Sequence, residues 1–135
     1  SSLAGTATRR VVALNYLLDS VILIDHFNGV AAATEFIRIN REESAISAIT
    51  RAEVLAGFPE TANEMPMRLL DAFHCHPIDR DIADAAAALR HRHRWKLPDA
   101  LQAAVAQHHA LQLVTRNTKD FPPRKFAFVL APYVL

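Results

Sequence analysis

Apolar positions fall in short runs separated by polar breaks. Tyr16-Leu17-Leu18 is closed by Asp19, which predicts a strand and an acidic turn; Val21 to Ile24 and Phe27 then predict a short buried helix stopping at Asn28-Gly29. Val30 to Ile39 continues with Ala33, Phe36 and Ile37 at helical spacing. Ser44 to Ser47 is a brief β-type segment, and Ile49, Val54 and Leu55 belong to a helix ended by Gly57 and Pro59. Pro66 suits the first turn of a helix carrying Leu69, Leu70 and Phe73.

His74 to Ile78 predicts another strand, and Asp79 caps a long helix to about Arg94 with Ile82, Ala86 and Leu89 along one face. Lys96-Leu97-Pro98 breaks that helix. Asp99 to Ala110 is helical again, presenting Leu101, Ala104, Val105 and His108, and Leu111 to Thr115 and Phe126 to Leu130 are the last strands. Strands alternating with helices at this spacing predict an α/β fold, a parallel sheet of four to five strands with helices on both faces. In such sheets a functional site gathers at the carboxyl ends of the strands.

The chain has 135 residues, enough for one domain. Residues 1–14 are expected to be a leader or cloning remnant and 15–135 the domain. No repeat, linker or low-complexity segment interrupts it. Fifteen Lys+Arg against fourteen Asp+Glu give a net charge of +1, so any nucleic-acid contact must be local. With glycine only at Gly5, Gly29 and Gly57, neither a phosphate-cradling loop nor a dinucleotide fingerprint can be written. The single Cys75 excludes an internal disulfide and paired-cysteine zinc, fitting a reducing cytoplasm, and no apolar run approaches the roughly 20 residues of a membrane span.

The acids change the picture. Asp19 closes the first strand, Asp99 opens the helix before the fourth, and Asn117 and Asp120 follow that strand; Glu53 lies in the helix after Ser44–Ser47 and can point to the same edge. Hard oxygen donors brought from distant segments, without thiolates, suit Mg2+ or Mn2+ rather than zinc. Taken singly, Asp99 is also a plain helix-start carboxylate and Glu53 a solvated helix residue. The histidines offer no third ligand to His74 and His76, and His91 and His93 cannot chelate together.

Four segments together resemble the acidic blocks of a PIN domain, and more narrowly the VapC-type toxins of bacterial toxin–antitoxin pairs. They are Tyr16 to Asp25, Ile46 to Gly57 around Glu53, Leu97 to Ala104 around Asp99, and Leu113 to Phe121 around Asn117 and Asp120. The resemblance runs from about residue 15 to 135. It implies a three-layer α/β/α sandwich and a Mg2+- or Mn2+-dependent endoribonuclease, usually a homodimer, held inactive by a VapB-like antitoxin. Asp19, Glu53 and Asp99 are then the core metal-site carboxylates, with Asn117 or Asp120 completing the site. Many relatives carry aspartate where this chain has Asn117, so a catalytically impaired PIN-fold binding module is the alternative.

Around the acids, Ser20, Thr50 and Thr115 offer hydroxyls and Arg51 and Arg116 offer cations. Arg92, Arg94 and Trp95 belong to the run from Arg90 to Lys96, which is either a solvated helix end or a surface that holds RNA by charge and base stacking. The apolar helices from Val21 to Ile39 and Val54 to Phe58 are expected to leave a groove for the antitoxin.

Overall fold

The computed structural model describes residues 13–135. The chain runs β1 (Tyr16–Leu18), α1 (Ser20–Phe27), α2 (Ala31–Asn40), β2 (Ser44–Ser47), α3 (Ala48–Ala56), α4 (Glu64–Leu70), β3 (His74–His76), α5 (Arg80–His93), α6 (Leu97–His108), β4 (Gln112–Val114) and β5 (Val129–Leu130), with two single 3-10 turns. All strand pairings are parallel, in the order β3-β2-β1-β4-β5. The chain turns from one half of the sheet to the other beside β1, the switch point where ligand crevices form in such sheets.

Strand alternation produces the layering. Neighbouring strand residues face opposite sides of a sheet, and here Leu17, Ala45, Leu113 and Val129 pack with Ile82, Ala86 and Leu89 of α5 and Ala100, Ala103 and Ala104 of α6. On the other face Leu18, Ile46 and Val114 pack with Ile22, Leu23, Ile37, Val54 and Leu70 from α1 to α4. The result is the expected three-layer α/β/α sandwich. Burial of the Leu, Ile and Val side chains among them, worth about 1.5–3 kcal/mol each before entropy is counted, holds the strand ends in register.

Several boundaries differ from the sequence reading for local reasons. β3 stops at His76 because Pro77 has no N–H to continue the ladder. α6 starts at Leu97, so Pro98 lies inside its first turn rather than breaking a helix, and Asp99 sits where the helix dipole favours an acid. α6 is also buried nearly all round, through Ala100 and Gln102 to Ala106, whereas His108 at its end is exposed. The leader expected over 1–14 falls mostly outside the described residues, but Leu14 packs against the first core cluster. In the second layer Val21, Phe27, Phe36, Leu55 and Phe58 are half-buried, while Ile24 and Ile39 are exposed.

One ion pair locks the C-terminal segment to this frame. Arg116 grips the buried Asp25 through both carboxylate oxygens at 2.7 and 2.9 Å, and the Tyr133 hydroxyl donates to the same carboxylate at 2.8 Å. Arg116 holds the Asp25 carboxyl below its ordinary value, chiefly by hydrogen bonding. A depressed carboxyl stabilises the fold above the unfolded pKa near 4, and the contribution is lost as pH falls through the folded value. Arg116→Met should therefore cost about 3 kcal/mol at pH 7, the low end for a broken buried pair, because Asp25 stays buried with only the Tyr133 hydroxyl as side-chain donor. Melting curves should show the gap to wild type closing below about pH 4.

Candidate active site

Asp19 is the N-cap of α1, and its backbone N–H bonds to the Val114 carbonyl at 2.9 Å, so β4 fixes its position. The residue is 8% exposed, and its carboxylate receives three donors: the Thr115 hydroxyl at 2.7 Å, the Ser20 N–H at 2.9 Å and the Gln102 amide at 3.2 Å. Burial pushes its pKa up, and those hydrogen bonds oppose the push.

Gln102 went unnoticed in the sequence, yet it ties the site together. Its Nε2 also donates to the Thr50 hydroxyl at 2.6 Å, and its Oε1 accepts from the Ser47 hydroxyl at 2.7 Å. Thr50 in turn donates to the Leu18 carbonyl at 3.1 Å, while Ser47 caps α3 by accepting from the Thr50 N–H. The ends of β1 and β2 and the helices α3 and α6 thus meet on one buried amide, with its polar atoms satisfied.

Glu53 reaches the same edge from α3 and accepts from the Ser20 hydroxyl at 2.9 Å. Burial raises its pKa, Ser20 opposes the rise, and the Asp19 charge adds to it. Asp99 is pushed up to about 6, first by burial and then by Asp19, Asp120 and Glu53. Asn117 and Asp120 form a closed pair after β4: the Asn117 amide donates to the Asp120 carboxylate at 3.0 Å, and the Asp120 N–H donates back at 3.3 Å. Asn117 thus holds the Asp120 carboxylate, whose charge reaches Asp99.

Four carboxylates from four separate segments share one electrostatic neighbourhood. Among the described residues no three His, Cys, Asp or Glu side chains already converge as metal ligands. The donors are all hard oxygens, and the neighbouring charges add to the burial that raises Asp99 and Glu53, the chemistry that a divalent cation relieves.

Several expected RNA contacts are committed elsewhere. Trp95, expected to stack on bases, is 5% exposed and packs against His93, Phe121 and Phe126, so base stacking by Trp95 is ruled out. Thr50 and Thr115 are fully buried and serve Gln102, Leu18 and Asp19. Arg116 is spent on Asp25, Arg51 pairs with Asp71 at 2.8 Å, and Ser20 is turned to Glu53. Arg92 and Arg94 remain exposed. His76, stacked on His109, lies on the edge strand β3, where burial takes it down to about 4, so it stays neutral.

A family model described as PIN domain matches residues 16–126. Ribonuclease VapC10 of Mycobacterium tuberculosis (strain H37Rv) is 35% identical over 113 residues, covering 78% of this chain and 85% of the relative. A toxin–antitoxin complex from Klebsiella pneumoniae superposes with a TM-score of 0.81 at 40% identity, over 90% of this chain and 100% of the other. FitAcB from Neisseria gonorrhoeae matches in fold, with a TM-score of 0.73 at 24% identity over 89% and 99% of the two chains.

A carboxyl raised in the folded state costs stability once it ionises, so without divalent cations the fold should lose stability as pH rises from about 4 through about 6. Asp99→Asn should remove that loss and melt higher than wild type at pH 7, with little difference at pH 4.5. Melting in EDTA across this range checks it, and a variant melting lower at pH 7 would make Asp99 a structural helix-start acid.

Proposed function

The chain belongs to the PIN-domain family, and from that membership we propose that it is a divalent-metal-dependent endoribonuclease, the toxin of a toxin–antitoxin pair. The observation that carries this reading is that Asp19, Asp120 and Glu53 lie near enough to Asp99 for their charges to add to the burial that pushes it up to about 6. Asp19, Glu53, Asp99 and Asp120 would hold Mg2+ or Mn2+. When bound, such an ion acidifies a water for attack and neutralises charge developing on the phosphoryl oxygens.

The chain's own residues supply the positioning. Thr115, Ser20 and Gln102 fix the two Asp19 oxygens, so the carboxylate keeps one orientation without rearranging during the reaction. Ser20 occupies one Glu53 oxygen and leaves the other to orient the attacking water or accept its proton. Asn117 holds Asp120 against the site. Attack by water leaves a 5′ phosphate and does not use the 2′ hydroxyl, so the choice of RNA comes from the family rather than from the chemistry.

The rival reading, an impaired binding module, rested on Asn117 standing where an acid is common. Asp120 supplies that charge, and no other observation favours the rival. Among the described residues no helix is long and apolar enough to cross a membrane; it is the family that leads us to place the protein in the cytoplasm. The antitoxin is expected to lie on the α1–α3 layer, where Ile24 and Ile39 are exposed beside half-buried Phe27, Phe36 and Phe58, and the toxin is expected to form a homodimer.

Cleavage of defined single-stranded RNAs should stop in EDTA and return with Mg2+ or Mn2+; undiminished cleavage in EDTA would contradict the metal role. Asp19→Asn should abolish turnover while the protein stays folded. Gln102→Leu should keep the fold but lose roughly 10–100-fold in activity or metal affinity, read as a higher Mg2+ concentration for half-maximal rate.

A further inference from the structure

Beside the acid cluster opens a shallow cavity of about 310 Å3 that shares Asp120 with it. Its lining includes Arg92, Arg94, Lys119 and Lys125 over a floor of Trp95 and Phe126. Among the described residues none of those four cations forms an ion pair. Unpaired cations gathered in a concavity concentrate positive potential. His93 beside them is held below its ordinary pKa, chiefly by burial and then by the Arg92 and Lys125 charges.

The turn that carries Arg94 and Trp95 is fixed by hydrogen bonds. Arg94 ends α5 in the left-handed region at φ 60°, a conformation that favours glycine at a helix end, so its side chain is kept there at a conformational cost. Arg90 donates to the Trp95 carbonyl at 2.7 Å, fixing the turn, and the Trp95 indole N–H donates to the Asp120 carbonyl at 3.1 Å. The cavity floor and the fourth acid are thereby hydrogen-bonded to each other. Trp95 is buried beneath its neighbours, and Lys125 lies over the half-buried Phe126 ring at 5.5 Å from its centroid, so a cation rather than a base covers that part of the floor.

We propose that this cavity holds a backbone phosphate of the RNA strand, one that flanks the phosphate being cut, so that the strand passes from the acids over Asp120 into the cavity. The assignment rests on the ribonuclease reading above. Cations without an exposed base-stacking face position a strand and do not select its sequence. The cavity therefore contributes binding along the backbone, and recognition of a particular base lies elsewhere.

The test uses Arg94→Gly, which removes the cation and suits the left-handed turn, together with Lys125→Gln. On a single-stranded RNA of mixed sequence the double variant should raise KM by on the order of tenfold and lower kcat far less, with the salt dependence of binding shallower by about 0.7 per cation removed. A dinucleotide substrate, too short to reach the cavity, should show little of that penalty, and the melting temperature should not fall. An unchanged salt slope, a loss confined to kcat, or an equal penalty on the dinucleotide would overturn the assignment while leaving the ribonuclease standing. Loss of antitoxin binding with unaltered RNA kinetics would overturn it in favour of a protein contact. If the wild-type protein binds and cleaves no RNA, the ribonuclease reading falls first and this assignment with it.

Discussion

A carboxylate buried at the end of a strand is the constraint on which the rest of the site depends. Asp19 is drawn out of water by the layers that bury Leu17, Leu18 and Ile22, and desolvation penalises its charge. Three donors from three segments offset part of that penalty. The Ser20 N–H is local, but Thr115 and Gln102 reach the carboxylate only if β1, β4 and α6 stand in the observed register. Core packing and site geometry are thus one problem, since the aliphatic layers set the strand ends and the strand ends set the donors.

Two acids in this fold meet opposite fates. Asp25 is fully answered by Arg116 and Tyr133 and sits below its ordinary pKa. Asp99 feels one cation, Lys96, against burial and three acidic neighbours, and sits well above. The segment after β4 serves both, because Arg116 turns to Asp25 while the next residue, Asn117, holds Asp120 toward the acid cluster. The satisfied pair anchors the loop, and the unsatisfied cluster stores repulsion that a bound cation can release. Such a division is the usual signature of a functional site within a stable frame.

Much of this was legible in the sequence because it rests on period and punctuation. Alternating runs and helical spacing gave the parallel sheet with helices on both faces, and the strand-ending acid Asp19 marked the site's edge. Gln102 was not legible: α6 is so rich in alanine that no polar stripe separates its faces, and one amide among alanines carries no periodic signal. Trp95 was misread for a geometric reason. In a run of cations it looks solvent-facing, but the left-handed turn at Arg94 redirects the chain and drops the indole into the core. The Asp25–Arg116–Tyr133 pairing spans up to 108 positions along the chain, a separation no local pattern reveals.

The central claim is that the four acids form a frustrated cluster awaiting a divalent cation, and the titration of Asp99 itself reads it most directly. Carboxyl carbon chemical shifts of the labelled protein, followed from pH 3 to 8 with and without Mg2+, report that single group. The account predicts a midpoint near 6 without the ion and a shift to well below it once Mg2+ is added. An ordinary carboxylate midpoint that Mg2+ leaves unmoved would contradict it.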